Sequence, residues 1–118
     1  MNIVILRGTL SRDPSQRVLP SGDRLTSFEV TIRPETGPAE SVPVVMVDAP
    51  RSATKLAGGA GVVVAGRVRR RFFRTSAGTG SRTEVVASHV VGAGRRTQVE
   101  RLVAGVLAEA GQAGAPSP

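Results

Sequence analysis

Gly61-Val62-Val63-Val64-Ala65-Gly66-Arg67-Val68-Arg69-Arg70-Arg71-Phe72-Phe73-Arg74 holds an apolar run followed without interruption by an arginine-rich ribbon. Side chains of an extended strand alternate between two faces, so Val62, Val64, Gly66 and Val68 share one face while Arg67, Arg69, Arg71 and Phe73 share the other. One side is core and the other cationic. The glycines of Gly78-Thr79-Gly80 mark a turn, and Arg82 to Val91 returns with a second apolar run, Val85-Val86-Ala87, which together predict a long hairpin with a charged arm. No acidic residue occurs from Ala49 through Thr83. A row of arginines ending in phenylalanine, with no carboxylate among them, suits a polyphosphate strand.

Upstream, Met1 to Leu10 is rich in β-branched residues and closes on Ser11-Arg12-Asp13-Pro14, where proline stops pairing. This first strand is apolar on both faces as far as Leu6, which predicts burial on one side and a second surface, such as another subunit, on the other. Pro20-Ser21-Gly22-Asp23 is a turn signal. Leu25 to Arg33 then alternates, with Phe28, Val30 and Ile32 inward and Ser27, Glu29, Thr31 and Arg33 outward. After a Pro- and Gly-containing connection over 34–41, a third strand spans 42–47, with Pro43 near its start or on an edge. Residues 49–57 predict a short helix capped by Asp48 and ended by Gly58-Gly59. Phe72 and Phe28 fall on the inward parity and are expected in the core, whereas Arg70, on the same parity, is expected either to be turned out by a bulge or to lie near the barrel's end.

Five strands with one short helix between the third and fourth is the order of an OB-fold, a five-stranded all-β Greek-key barrel. Beyond Gly92-Ala93-Gly94 the pattern becomes helical. Thr97-Gln98-Val99-Glu100 has the form of a capping box, and Val99, Leu102, Val103, Val106, Leu107 and Ala110 make an apolar stripe that ends at Gly111. The expected organisation is a barrel domain over 1–92, a linker and amphipathic helix over 93–111, and a disordered tail over 112–118.

Lys and Arg number 16 against 9 Asp and Glu, a formal net charge of +7, which favours polyanionic partners. Lys55 is the only lysine; the arginine bias fits bidentate phosphate contacts and equally fits a GC-rich genome. The absence of cysteine excludes disulfides and thiolate metal sites, and His89, the one histidine, has no second ligand at metal-binding spacing, so no metal or cofactor is expected. There is neither a GxSxG nucleophile motif nor a Gly-Lys-Ser/Thr phosphate loop, which argues against an enzyme. No apolar stretch approaches the ~18 residues of a membrane span. A soluble cytoplasmic protein without membrane contact is expected.

Taken together these segments resemble the bacterial single-stranded DNA-binding protein family. The carrying residues are Asn2 to Pro14, with its Gly8-Thr9-Leu10-Ser11-Arg12-Asp13-Pro14 turn, Pro20-Ser21-Gly22 with Phe28-Glu29-Val30, Val44 to Val47, Gly66 to Phe73, and Thr83 to Val86. The resemblance covers residues 1 to about 92. It implies sequence-independent binding of single-stranded DNA in replication, recombination or repair by a homo-oligomer, dimer or tetramer. It also makes Phe73 a base-stacking residue and Arg69 and Arg71 its basic neighbours. Arg67, by its place in the row, and Arg74 and Arg82, by flanking the hairpin tip, complete the candidate nucleic-acid site; Arg7, Arg33 and Arg51 are weaker candidates. The family's other stacking platforms fall near Thr36, Ser41 and Val47, none of them aromatic, and its acidic tail has no counterpart here, as in a divergent short paralogue. The alternative is an OB-fold interaction or assembly module with little DNA affinity, acting through a protein partner of helix 97–110. That helix has three open readings: packing on its own barrel, pairing with another copy, or docking a partner.

Overall fold

The computed structural model describes residues 1–113. In chain order the elements are β1 (Val4–Leu10), β2 (Ser15–Val18), β3 (Arg24–Ile32), β4 (Glu40–Val47), α1 (Arg51–Thr54), β5 (Gly61–Thr75), β6 (Gly78–Gly92) and α2 (Arg96–Ala113). β1 pairs with β5, β5 with β6, β6 with β4 and β4 with β3, and β3 returns to β1 at Thr9 and Leu10, so five strands close a ring. Among the described residues only the β4–β6 pairing is parallel. This is the OB-fold expected, with the short helix in the expected place.

The ring forms because its strands carry apolar residues at every second position. Phe28, Val30, Val44, Val62, Val64 and Val85 meet inside it, each almost fully buried. At ~1.5–3 kcal/mol for each large apolar side chain removed from water, this interior is the main source of stability. Pro43 stands within β4 rather than at its start, at a point that precedes the two-residue pairing with β6. Its missing amide therefore costs no ladder bond on that side.

Several expectations at element ends are corrected. A sixth strand, β2, pairs with the first half of β3; the turn at 19–23, in which the Leu19 amide donates to the Asp23 carbonyl at 2.8 Å, brings it back antiparallel. All four β2 residues are exposed, so no apolar alternation announces it. α1 is four residues long, and Pro50, not Asp48, precedes it. Asp48 instead adopts a left-handed backbone (φ 51°) and closes the end of the β3–β4 pair, its amide donating to the Arg24 carbonyl at 2.8 Å. α2 begins at Arg96, which puts Thr97 inside its first turn, and the Val99 amide donates to the Arg95 carbonyl at 3.0 Å. Gly111 does not end α2. A glycine within a helix costs ~1 kcal/mol relative to alanine but does not block it, and the helix continues to Ala113. Of the tail expected over 112–118, the first two residues are thus helical and the rest lie outside the described residues.

β6 contains one residue more than β5 can pair: Ala65 faces His89 while Gly66 faces Ala87, and Ser88 bulges, its hydroxyl donating to the Ala65 carbonyl at 3.2 Å. Gly66 is required here. A Cβ at this position would stand 2.1 Å from the Val86 carbonyl oxygen and 2.9 Å from Ala87 Cα, both backbone atoms that can yield only if the strands separate. We expect Gly66→Ala to destabilise the fold by about 1–3 kcal/mol, as forced overpacking does, measured as a lowered midpoint of thermal unfolding. An unchanged midpoint would mean that the bulge is softer than this geometry.

Candidate nucleic-acid interface

Beyond the bulge the hairpin leaves the ring. β1 follows β5 only as far as Gly66, and β4 touches β6 only at Val85 and Val86, so residues 69–83 have no strand neighbour but each other. Asn2 marks the departure. Its side chain extends the ladder by one step, Nδ2 donating to the Val68 carbonyl (2.8 Å) and Oδ1 accepting from the Val68 amide (2.9 Å). The turn is Ser76-Ala77, one step before the glycine cluster that predicted it, and Gly78 to Gly80 belong to β6. Thr75 Oγ1 secures that turn, accepting from the Ala77 amide and donating to the Gly78 carbonyl.

This register decides which side chains oppose one another. On one face Arg67 stands across from Val86, Arg69 from Glu84, Arg71 from Arg82 and Phe73 from Gly80. Glu84 is buried, 2 % exposed, and accepts from Arg69 Nη2 at 2.6 Å, so Arg69 holds a carboxylate as well as facing the groove. Arg71 and Arg82 are exposed like charges directly opposite each other, an arrangement that is unfavourable unless an anion bridges them. The Phe73 ring lies over Gly80, where a Cβ would come within 2.6 Å of it, and is 39 % exposed. The ring is thus seated on bare backbone and partly open to solvent.

At the foot of the arm, Arg71 and Arg82 share a cleft with Arg12 and Arg17, which come from the β1–β2 connection and β2. Neither of these two arginines lies in the arginine row of the arm. The turn at 19–23 carried the signal, since it sets Arg17 across from Leu25 on the floor of the same cleft. Arg12, largely exposed, is bridged at 2.8 Å to the half-buried Glu29, a contact that solvent at the arginine keeps weak. Among the described residues Arg67, Arg71, Arg82 and Arg17 are in no salt bridge.

Two expectations about the arm fail. Phe72 is on the inward parity, yet it is 68 % exposed because the ring has ended beneath it. Arg74 pairs with Thr79 and shares the parity of Arg70 and Phe72, so it lies on the face opposite Arg82 and the two do not clamp one strand between them. Arg70 lies past the ring, the second of the two expected possibilities, and the bulge is elsewhere. Arg7, Arg33 and Arg51 are exposed and none is on the arm. Thr36, Ser41 and Val47 supply no aromatic surface; the Ser41 hydroxyl donates to Glu29 Oε1 at 2.7 Å. His89 Nδ1 lies 3.1 Å from the Ser88 hydroxyl, and among the described residues no group of three His, Cys, Asp or Glu could hold a metal ion. No described helix is long and apolar enough to cross a membrane.

An OB-fold ring with a projecting, arginine-lined arm and a partly exposed phenylalanine has the charge and the aromatic surface that a polyanion carrying stackable bases would require. The sequence pattern of the single-strand binding protein family matches residues 1–92, and the chain belongs to that family. Its members are non-enzymatic proteins that bind single-stranded DNA and commonly assemble as oligomers. A search of curated proteins returned no match.

Proposed function

We propose that this protein binds single-stranded DNA without regard to sequence, along the arm and the cleft at its foot, in the cytoplasmic handling of single strands during replication, recombination or repair. Arg67, Arg71 and Arg82 neutralise successive phosphates, Phe73 stacks a base, and Arg69 faces the same strand while anchored on Glu84. Arg74, near the tip but on the opposite face, takes no part in this row. The observation that carries this reading is the opposed pair Arg71 and Arg82 beside a phenylalanine whose ring is seated on Gly80. The binding unit is residues 1–92, with α2 following as a separate element.

Anisotropy of a labelled oligo-dT tests it. Binding should favour the single strand over a duplex, and Phe73→Ala should weaken it by ~1–3 kcal/mol, the contribution of one stacked base. Equal binding of both forms, untouched by Phe73→Ala, would reduce the arm to a nonspecific basic surface.

Self-association through β1 is the second part of the proposal. From Val4 to Gly8 this strand pairs only with β5, which leaves its other edge open, and Ile5 on its outer face is 40 % exposed. An open edge beside exposed apolar side chains is a template for a second copy's strand. Ile5→Glu should shift the light-scattering mass from oligomer to monomer; a wild type already monomeric at micromolar concentration would remove this part.

A further inference from the structure

We propose that the arm carries a second single-strand subsite on its other face, formed by Arg70, Phe72 and Arg74, so that one arm holds two segments of single-stranded DNA. This rests on the reading of the Phe73 face as a single-strand site.

Strand alternation puts Arg70, Phe72 and Arg74 together, and the hydrogen bonds confirm the face. Arg70 Nε and Nη2 both donate to the Ser81 hydroxyl, at 3.3 and 3.1 Å, and Ser81 is the residue across from Phe72. The guanidinium is thereby held against the ribbon, with its remaining donors directed away from Ser81. Phe72 is the most exposed of the three phenylalanines, against 39 % for Phe73 and 3 % for Phe28. Among the described residues no strand covers it, because β1 leaves β5 at Gly66.

Charge selects the occupant. The cross-strand partners on this face are Thr79, Ser81 and Thr83, with no carboxylate among them, whereas the Phe73 face must accommodate Glu84. At ~3.3 Å per residue, Arg70 and Arg74 stand ~13 Å apart with the Phe72 ring midway, two cations flanking an exposed aromatic surface. An apolar protein surface would have to strip water from both arginines without a partner for either, which is costly. A single strand brings phosphates to the arginines and a base to the ring. Phe72 and Phe73 are adjacent in the chain and project from opposite sides of a two-stranded ribbon, so the two segments lie back to back.

The test is a stoichiometric titration of the full chain, at low salt, with labelled oligo-dT of about eight nucleotides, within the site size of one OB-fold. Wild type, Phe72→Ser with Arg74→Ser, and Phe73→Ala are compared, all at exposed positions. Two oligomers per wild-type chain falling to one in the double variant support the subsite. One oligomer per chain, with affinity about 5- to 150-fold lower in the double variant, supports it too, as a strand bent around the tip. One oligomer per chain with affinity unchanged in the double variant overturns it. If Phe73→Ala has no effect while the double variant does, DNA lies on the Arg70, Phe72 and Arg74 face alone, and the two-segment proposal is overturned together with the Phe73 reading; no binding of oligo-dT at all also sinks both.

Discussion

Arg69→Ala should destabilise the protein by about 1–3 kcal/mol, more than any other single arginine change on the arm, the cost of leaving a buried polar group without its partner. The reason lies in its partner. Glu84 sits on the arm's basic face at the foot of the hairpin, 2 % exposed, and Arg69 Nη2 reaches it at 2.6 Å. Deleting the guanidinium leaves the Glu84 carboxylate without its hydrogen-bond partner in a place water barely enters, and the fold must open to hydrate it or give way. Arg71→Ala is the contrast. Arg71 stands across from Arg82, so its removal relieves a like-charge pair and should leave the melting temperature unchanged or raised while weakening DNA binding. Thermal unfolding of both variants separates anchor from ligand. Equal stability of the two would mean that Glu84 finds another partner, and Arg69 would then count only as a DNA contact.

The same pair shows how much was legible in the chain. Period-two alternation located the ring strands, the inward row of β3 and the split of the arm into Arg67, Arg69, Arg71 and Phe73 against its other face. All of these depend only on side-chain geometry along one strand. What depends on register did not follow. Centring the turn on Gly78 to Gly80 instead of Ser76-Ala77 slides β6 along β5, and with that slide Glu84 is no longer opposite Arg69, nor Arg82 opposite Arg71. The acid-free stretch ending at Thr83 therefore concealed a carboxylate that the true register sets within the arginine row. Phe72 was misplaced for another reason: parity gave its face correctly, but parity carries no information on where the neighbouring strands stop. β2 was missed because a strand exposed on both sides has no apolar period to detect. The open readings of α2 narrow only in part. Val106 shares a cleft with Ala65 and Leu102 another with Val91, so the helix rests on its own sheet, while Leu107 of the same stripe is 65 % exposed.

DNA affinity should depend on salt more steeply than stacking would allow. The chain has one phenylalanine on the groove face of the arm and no aromatic at the three other family platforms, but it presents Arg67, Arg71 and Arg82 on that face and Arg70 and Arg74 behind. Each phosphate neutralised on a single strand contributes ~0.7 to the slope of log affinity against log salt, so about five contacts give a slope near −3.5 and a loss of about a hundredfold between ~50 and 200 mM. Stacking energy is nearly indifferent to salt. Phe73→Ala should therefore lower the line without tilting it, whereas Arg71→Ala or Arg82→Ala should flatten it by about 0.7. Arg69 divides the possibilities further: bonded to Glu84, it brings little net charge to the groove, so in Glu84→Gln, where it is released, the slope should steepen by up to the same ~0.7. A slope near −1 in the wild type would leave at most one or two arginines on phosphate. The strand would then have to lie off the arm, on a part of the ring where these residues do not reach.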